Sequence, residues 1–278
     1  INQISKMLQF LGDQPEVADK EAQVVMKIET QLAKVSMNAV KQRDIEAQYN
    51  KRTIEELTKE APNVNWSAYF AALGVKDIKD VIVGQPLFMK EMSKMYKSIP
   101  MNDWKTYFRW HLIDGASPFL SDEIVLQNFE FFEKILSGSK ELKPRWKRSL
   151  EIVDGTMGEA LGQIYVEKHF TGDSKKRINE MVDNLTAAYS EHINQLDWMS
   201  DETKKMSQIK LSKIIRKLGY PDKWKDYSKL EISRESYFKN VTNASEFAFQ
   251  FNIDKFGKPV DKTEWGMSPP TVNAYYNP

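Results

Sequence analysis

The sequence contains no cysteine and only three histidines. Disulfides, thiolate metal sites and a cysteine nucleophile are therefore excluded. The compartment stays open, since many exported bacterial proteins also lack cysteine. Charge of one sign is also missing: 40 Lys and Arg face 39 Asp and Glu, for a formal net charge of +1. No strong global field draws the chain to nucleic acid or to an anionic membrane. No apolar run reaches the length of a membrane span, and no signal-peptide pattern is present. The first residue is Ile1 rather than methionine, which points to processing or truncation and puts any anchoring segment upstream of it. There is no fixed-period repeat and no long Pro/Gly/Ser linker. What is there is ordinary globular composition, 278 residues with 41% hydrophobic and 28% charged, enough to bury a substantial core.

The pattern is helical almost throughout. Val17, Val24, Val25, Ile28, Leu32 and Val35 recur at helical spacing, with Pro15 suited to a first turn. Thr53-Ile-Glu-Glu56 fits a capping box. Asn65 is placed to cap a helix over 66–73, ended by Gly74. Val81-Ile-Val83 reads as a short strand, and 86–98 as a Met-rich amphipathic helix. Asn102 is expected to cap 103–113, and Ser121 to cap 122–136. A small-residue face, Gly155, Gly158 and Gly162, lies in a helix over 151–170. The clearest apolar stripe is Ile178, Met181, Val182, Leu185, Tyr189, His192, Ile193 and Leu196 in 174–198, expected to be core. Helices over 201–218 and 233–256 follow, the last stopped by Gly257 and barred by Pro259. The expected fold is mainly α: a multi-helix domain over 1–262, then a linker and a short strand excursion over 263–278.

Candidate chemistry is sparse. A zinc-protease helix needs two histidines four apart, with a glutamate beside the first. His111, His169 and His192 do not have that spacing, and Leu196 stands where a second ligand would follow His192, so no metal site is expected. The glycines at 155, 158 and 162 follow no strand and lack the Walker lysine, so close helix packing is their expected use. Lys143, Arg145, Lys147 and Arg148 surround Trp146. A nucleic-acid surface is one reading, a solvated turn with Trp146 anchored in the core the other, favoured by the near-neutral charge. Met89, Met92 and Met95 read as gap-filling core or an adaptable binding face. No serine sits in a Gly-x-Ser-x-Gly elbow. Thr271-Val-Asn-Ala-Tyr-Tyr276 is rich in β-branched and aromatic residues and reads as a strand. Such a strand cannot satisfy its own backbone. It either completes a neighbouring sheet as an edge or receives an extended peptide by β-augmentation. Asn273 offers donors and an acceptor that match a peptide group, and Ala274 is small enough to admit a substrate backbone.

Gly257-Lys-Pro-Val-Asp-Lys262, Trp265-Gly-Met267 and Thr271-Val-Asn-Ala-Tyr-Tyr276 together resemble the neprilysin and endothelin-converting-enzyme family of zinc endopeptidases. The resemblance extends, in order, to Asn65-Trp66 with Tyr69; Ala160-Leu-Gly162 with Tyr165, Val166 and Phe170; Trp198-Met199, Thr203, Lys204 and Lys210; Gly219-Tyr-Pro-Asp222 with Trp224; and Tyr237 with Asn240. Ser207, where alanine is common, and Pro270, where glutamine is common, depart from it.

The resemblance implies a helical domain facing a thermolysin-like catalytic domain across a cavity that admits peptides and excludes folded proteins. It implies hydrolysis of internal peptide bonds by a zinc-bound water, with the zinc ligands and general base on a catalytic module after Pro278. The expected partners are that missing domain and peptide substrates, with no nucleic acid, and membrane contact only through a segment upstream of Ile1. The expected substrate-binding residues are Asn273 and Ala274; no catalytic or metal residue is expected, and the chain alone should be inactive. Vertebrate members are cysteine-rich ectodomains, so the absence of cysteine points to a bacterial homologue, exported, periplasmic or envelope-associated rather than cytoplasmic. The competing expectation is a non-catalytic helical peptide-binding or interaction protein.

Overall fold

The computed structural model describes residues 1–75 and 77–276; Asn277 and Pro278, at the end of the expected strand segment, lie outside them. The chain is mainly α. In order come α1 Asn2–Phe10, α2 Pro15–Val35, α3 Ile45–Gln48, β1 Lys51–Thr53, α4 Ile54–Glu60, α5 Trp66–Ala72, β2 Asp80–Ile82, α6 Pro86–Ser98, α7 Met101–Ala116, α8 Asp122–Phe129, α9 Arg145–His169, α10 Gly172–Gln195, α11 Asp201–Ser212 and α12 Tyr237–Ile253. A π-helical turn, Glu130–Ile135, follows α8. The chain divides into two compact units, although no flexible linker marks the division. One comprises Ile1–Leu142, Arg234–Lys239 and Asn252–Phe256; the other Lys143–Ser233, Asn240–Phe251 and Gly257–Pro278.

The first unit holds the hydrophobic core. Ile4, Met7 and Leu8 of α1 bury against Ala18, Ala22 and Val25 of α2 and Trp110 and Ile113 of α7. Ile28, Met95 and Trp104 form a second cluster, and Leu57, Ala61, Trp66 and Val83 a third. Met95 is buried and Met89 packs on the third cluster, so these methionines fill core gaps. Arg109 of α7 donates to Asp13 at 2.9 Å and to Glu21 at 3.2 Å. Burial, and then the nearby Asp13 charge, push the Glu21 carboxyl above its usual range. The capping box is complete: the Glu56 amide donates to Thr53 Oγ1 at 3.1 Å, and the Thr53 amide to Glu56 Oε2 at 2.8 Å. Asn65 caps α5 by accepting from the Ala68 amide at 3.0 Å. The strand expected at Val81 pairs antiparallel with β1, Arg52 facing Val81. Lys-Arg-Thr carries no apolar alternation, so that partner was not visible in the sequence.

Several boundaries moved. α7 starts at Met101 behind Pro100, so Asn102 lies inside the helix rather than capping it. α9 starts at Arg145 behind Pro144, which turns the expected basic loop into a first helical turn. α11 stops at Ser212, and α12 occupies Tyr237–Ile253, short of both expected ends. Gly257 does take the left-handed conformation, φ +73°.

The second unit is built differently. Its buried hydrophobic side chains among the described residues are Ile193 and Ala244. The α10 stripe expected to be core is largely exposed: Met181 at 54%, Leu185 at 59% and Tyr189 at 57%. Trp146, expected to be anchored inside, is 65% exposed, with the Lys147 ammonium 5.4 Å from its ring. Helical periodicity reports that a face is apolar, not that the same chain covers it. Leu57→Ala in the first unit should therefore lower stability by about 2–5 kcal/mol. Leu185→Ala in this chain should change it by about 0.5 kcal/mol or less. Denaturant unfolding of the two variants checks the contrast, and a large loss at Leu185 would mean that the stripe is covered.

Candidate substrate-binding segment

The 271–276 segment belongs to the second unit, and its supports can be built from α9 outward. Helix α9 is interrupted at Met157, φ −131° and ψ 35°. Gly155 and Gly158 flank the break, and the Thr156 hydroxyl donates back to the Ile152 carbonyl at 2.7 Å. Glycine and backbone-bonding hydroxyls are recognised causes of such a kink. Beyond it, Gly158 and Gly162 are buried. Their neighbour is not another helix, as the sequence led one to expect, but the turn at Ser268 and Pro269. A Cβ added at Gly158 would lie 2.9 Å from Ser268 Cβ, and one at Gly162 would lie 2.6 Å from Pro269 Cδ. Neither distance is compatible with the present backbone positions.

Polar bonds fix the same turn. Ser268 Oγ donates to Asp154 Oδ1 at 2.7 Å and lies 3.0 Å from Thr271 Oγ1. The Thr271 amide donates to the Ser268 carbonyl at 3.0 Å, and the Asn273 amide to the Thr271 carbonyl at 3.1 Å. A second tie closes the loop, from the Gly266 amide to the Tyr275 hydroxyl at 3.2 Å. Upstream, Lys217 Nζ donates to the Glu264 carbonyl. Asp261 is held below the usual carboxylate range by hydrogen bonds from Thr263, the hydroxyl at 2.7 Å and the amide at 2.8 Å, with Lys223 and Lys217 adding attraction.

Between these ties, Val272, Asn273 and Ala274 are exposed, Val272 completely. Among the described residues the segment joins no β-ladder. Two of its backbone donors are used locally, the Asn273 amide on the Thr271 carbonyl and the Ala274 amide on Asn273 Oδ1, which is the physical reason the expected strand is absent. Asn273 Oδ1 accepts from the Ala274 amide at 2.8 Å. That bond engages Oδ1, and the Nδ2 group of the same amide is a donor.

The motif Gly219-Tyr-Pro-Asp222 holds the loop after α11 in place. Lys175 of α10 donates to the Tyr220 carbonyl at 2.9 Å, pairs with Asp222 at 2.7 Å and sits 4.0 Å from the Tyr220 ring centre. Gly219 has φ +78°, and a Cβ there would lie 2.7 Å from the Phe170 ring. The Lys225 amide then donates to Glu159 of α9 at 2.7 Å, and the Lys225 ammonium lies 3.8 Å from the Phe251 ring centre on α12.

His111 and His169 have local partners. His111 Nε2 is 2.9 Å from Glu29 Oε1, and its ring packs on Tyr107 at 4.4 Å. Burial, then the Glu29 charge, push Tyr107 up to about 12. His169 packs on Tyr165 at 5.3 Å, and His192 is exposed. Among the described residues no three His, Asp or Glu side chains converge as a metal site requires, so these residues do not fit zinc. No helix among them is long and apolar enough to cross a membrane.

The chain belongs to peptidase family M13, whose profile matches residues 1–221. It is similar to an endothelin-converting enzyme homolog of Locusta migratoria, 27% identical over 293 residues, which cover 99% of this chain and 40% of that protein. Human endothelin-converting enzyme 1 is 28% identical over 287 residues, covering 99% and 37%. The inhibitor-bound crystal structure of the Mycobacterium tuberculosis zinc metalloprotease Zmp1 superposes with a TM-score of 0.91 at 37% identity, covering 99% of this chain and 42% of that one. PepO from Lactobacillus rhamnosis shares the fold, with a TM-score of 0.89 at 21% identity. The chain thus spans about two fifths of the length of the relatives it matches.

Tyr275→Phe removes the acceptor for the Gly266 amide. Amide exchange at Gly266 should quicken while the melting temperature stays put, since the bond lies at the surface. Unchanged exchange at Gly266 would mean that the loop is closed by something else.

Proposed function

We propose that this chain is the helical portion of a zinc-dependent metalloendopeptidase, and that 272–276 lies alongside the bound peptide. The observation that carries the reading is the form of that segment. It is tethered at Ser268 and Tyr275, exposed from Thr271 onward, and without a ladder partner among the described residues. An extended substrate meets it by β-augmentation. Asn273 Nδ2 donates to a substrate carbonyl, and Ala274 leaves room for the substrate backbone. The metal and its ligands are contributed by polypeptide outside this chain, which also covers the exposed Met181–Leu185–Tyr189 face of α10. The helices form a wall of an internal chamber, and its size limits substrates to peptides. Membership of the family favours an exported protein of the periplasm or cell envelope over a cytoplasmic one; recovery of the native protein in the cytosolic fraction would overturn that assignment.

Two measurements test the reading. The 278 residues alone should show no peptidase activity and retain no zinc after dialysis against a weak chelator; stoichiometric zinc would sink it. In the full-length enzyme, Asn273→Ala should lower kcat/KM about tenfold. A neutral hydrogen bond contributes about 0.5–1.5 kcal/mol, more when a buried partner is left unpaired, and each 1.4 kcal/mol is about a factor of ten. Zinc content and melting temperature should not move. Full activity of Asn273→Ala would reduce the segment to a structural edge, and loss of zinc or of folding would make it scaffold.

A further inference from the structure

We infer that Asp154, Gly158 and Gly162 of α9 are positioning residues that set where Asn273 meets the substrate. This rests on the reading of Asn273 as a substrate-holding residue. Asn273 is five residues beyond Ser268, and on its amino-terminal side its backbone is tied through Thr271 and Ser268. The Asn273 amide bonds to the Thr271 carbonyl, and the Thr271 amide to the Ser268 carbonyl. The two hydroxyls are 3.0 Å apart, and Ser268 Oγ donates to Asp154. The depth at which this turn sits on α9 is set by the two glycines.

The contact at Gly162 is with a proline ring, at 2.6 Å from Cδ and 2.8 Å from Cγ for an added Cβ. A ring fused to the backbone cannot swing aside as the end of a long side chain does, so the turn itself must lift. The contact at Gly158 is with Ser268 Cβ, again one bond from the backbone. A methyl at either glycine displaces the chain on which Asn273 is carried, by a sizeable fraction of an ångström. Catalysis is sensitive to displacements of that order, since a misplacement of about 1 Å costs about a hundredfold. Asp154 acts laterally, by fixing the direction in which Ser268 leaves the helix face. The three residues touch neither substrate nor metal in this account; they act through Asn273.

The test is a double-mutant cycle in the full-length enzyme. Gly162→Ala alone should lower kcat/KM about five- to tenfold, with zinc content unchanged. In the Asn273→Ala background the same substitution should have little further effect, because the bond it misplaces is already gone. Asp154→Ala should behave likewise, while Asp154→Asn, which keeps an acceptor for Ser268, should restore most of the activity. In the isolated chain, amide exchange over 271–276 should be faster with Gly162→Ala than without it.

Several results overturn the inference. One is full activity of Gly162→Ala in an enzyme that Asn273→Ala impairs. Another is an equal loss in both backgrounds, which marks a general scaffold. A third is failure of Asp154→Asn to rescue. If Gly162→Ala does not fold, the Asp154 pair completes the cycle in its place. Full activity of Asn273→Ala itself would instead remove the functional reading on which the inference stands, so the two failures are distinguishable.

Discussion

A helix can carry a foreign turn against its own backbone only where it has no Cβ. That constraint, met at Gly158 and Gly162, governs the arrangement of the second unit. It explains why α9 tolerates an interrupted turn at Met157: glycines on that stretch weaken the helix by about 1 kcal/mol each relative to alanine. That cost is offset by the close seat they provide. Once Ser268 and Pro269 are seated, the chain on either side follows. Glu264 meets Lys217, and Tyr275 returns to Gly266.

Burial is divided unequally, and this separates the two units physically. The first buries tryptophan, leucine, isoleucine and methionine in three clusters. The second is held mainly by specific polar ties and aromatic contacts: Lys175 with Tyr220 and Asp222, Lys225 with Phe251, Tyr220 stacked on Trp224. Net contributions of such ties are about 0.5–1.5 kcal/mol apiece. Meanwhile Trp146, Met181, Leu185 and Tyr189 remain at the surface. Apolar faces of this kind mark places where further protein packs. A chain that spans two fifths of its relatives' length leaves ample polypeptide in such proteins to do so.

What was legible in the sequence follows from which physics is local. The Thr53–Glu56 box and the Asn65 cap depend on a few adjacent residues, and both were read correctly; Gly257 is left-handed, but the helix it was expected to stop ends at Ile253. The helix starts at Met101 and Arg145 were misplaced, each lying behind a proline; at the first, Asn102 looked like the better cap. The glycine spacing in α9 was seen, but its partner was taken for a helix. Nothing in the sequence says that a turn more than a hundred residues later will be the neighbour. The α10 stripe and Trp146 were taken for core because periodicity records amphipathicity and is silent about what covers it. β1 was missed because a three-residue edge rich in charge carries no period. Asn273 and Ala274 were singled out by composition and by the family resemblance, while the Asp154–Ser268 bond that bears on them was beyond local reading.

Several residues that carry the family resemblance have local structural roles. Trp66 Nε1 donates to the Ala61 carbonyl inside the third cluster. Asn240 exchanges bonds with Ser233, accepting from its amide and donating to its carbonyl. Gly219 admits the Phe170 ring, and Gly162 admits Pro269. Asp222 anchors Lys175. Each has a structural reason to be the residue it is. The run from Val272 to Ala274 differs. These residues are exposed, and the anchoring side chains around them belong to Ser268, Thr271 and Tyr275. The Asn273 Oδ1 bond is to the very next residue, so neither side chain ties this stretch to the rest of the unit. The scaffold around them is then what it looks like in energetic terms: an arrangement of modest, specific ties that fixes the place of one short segment and leaves its face open.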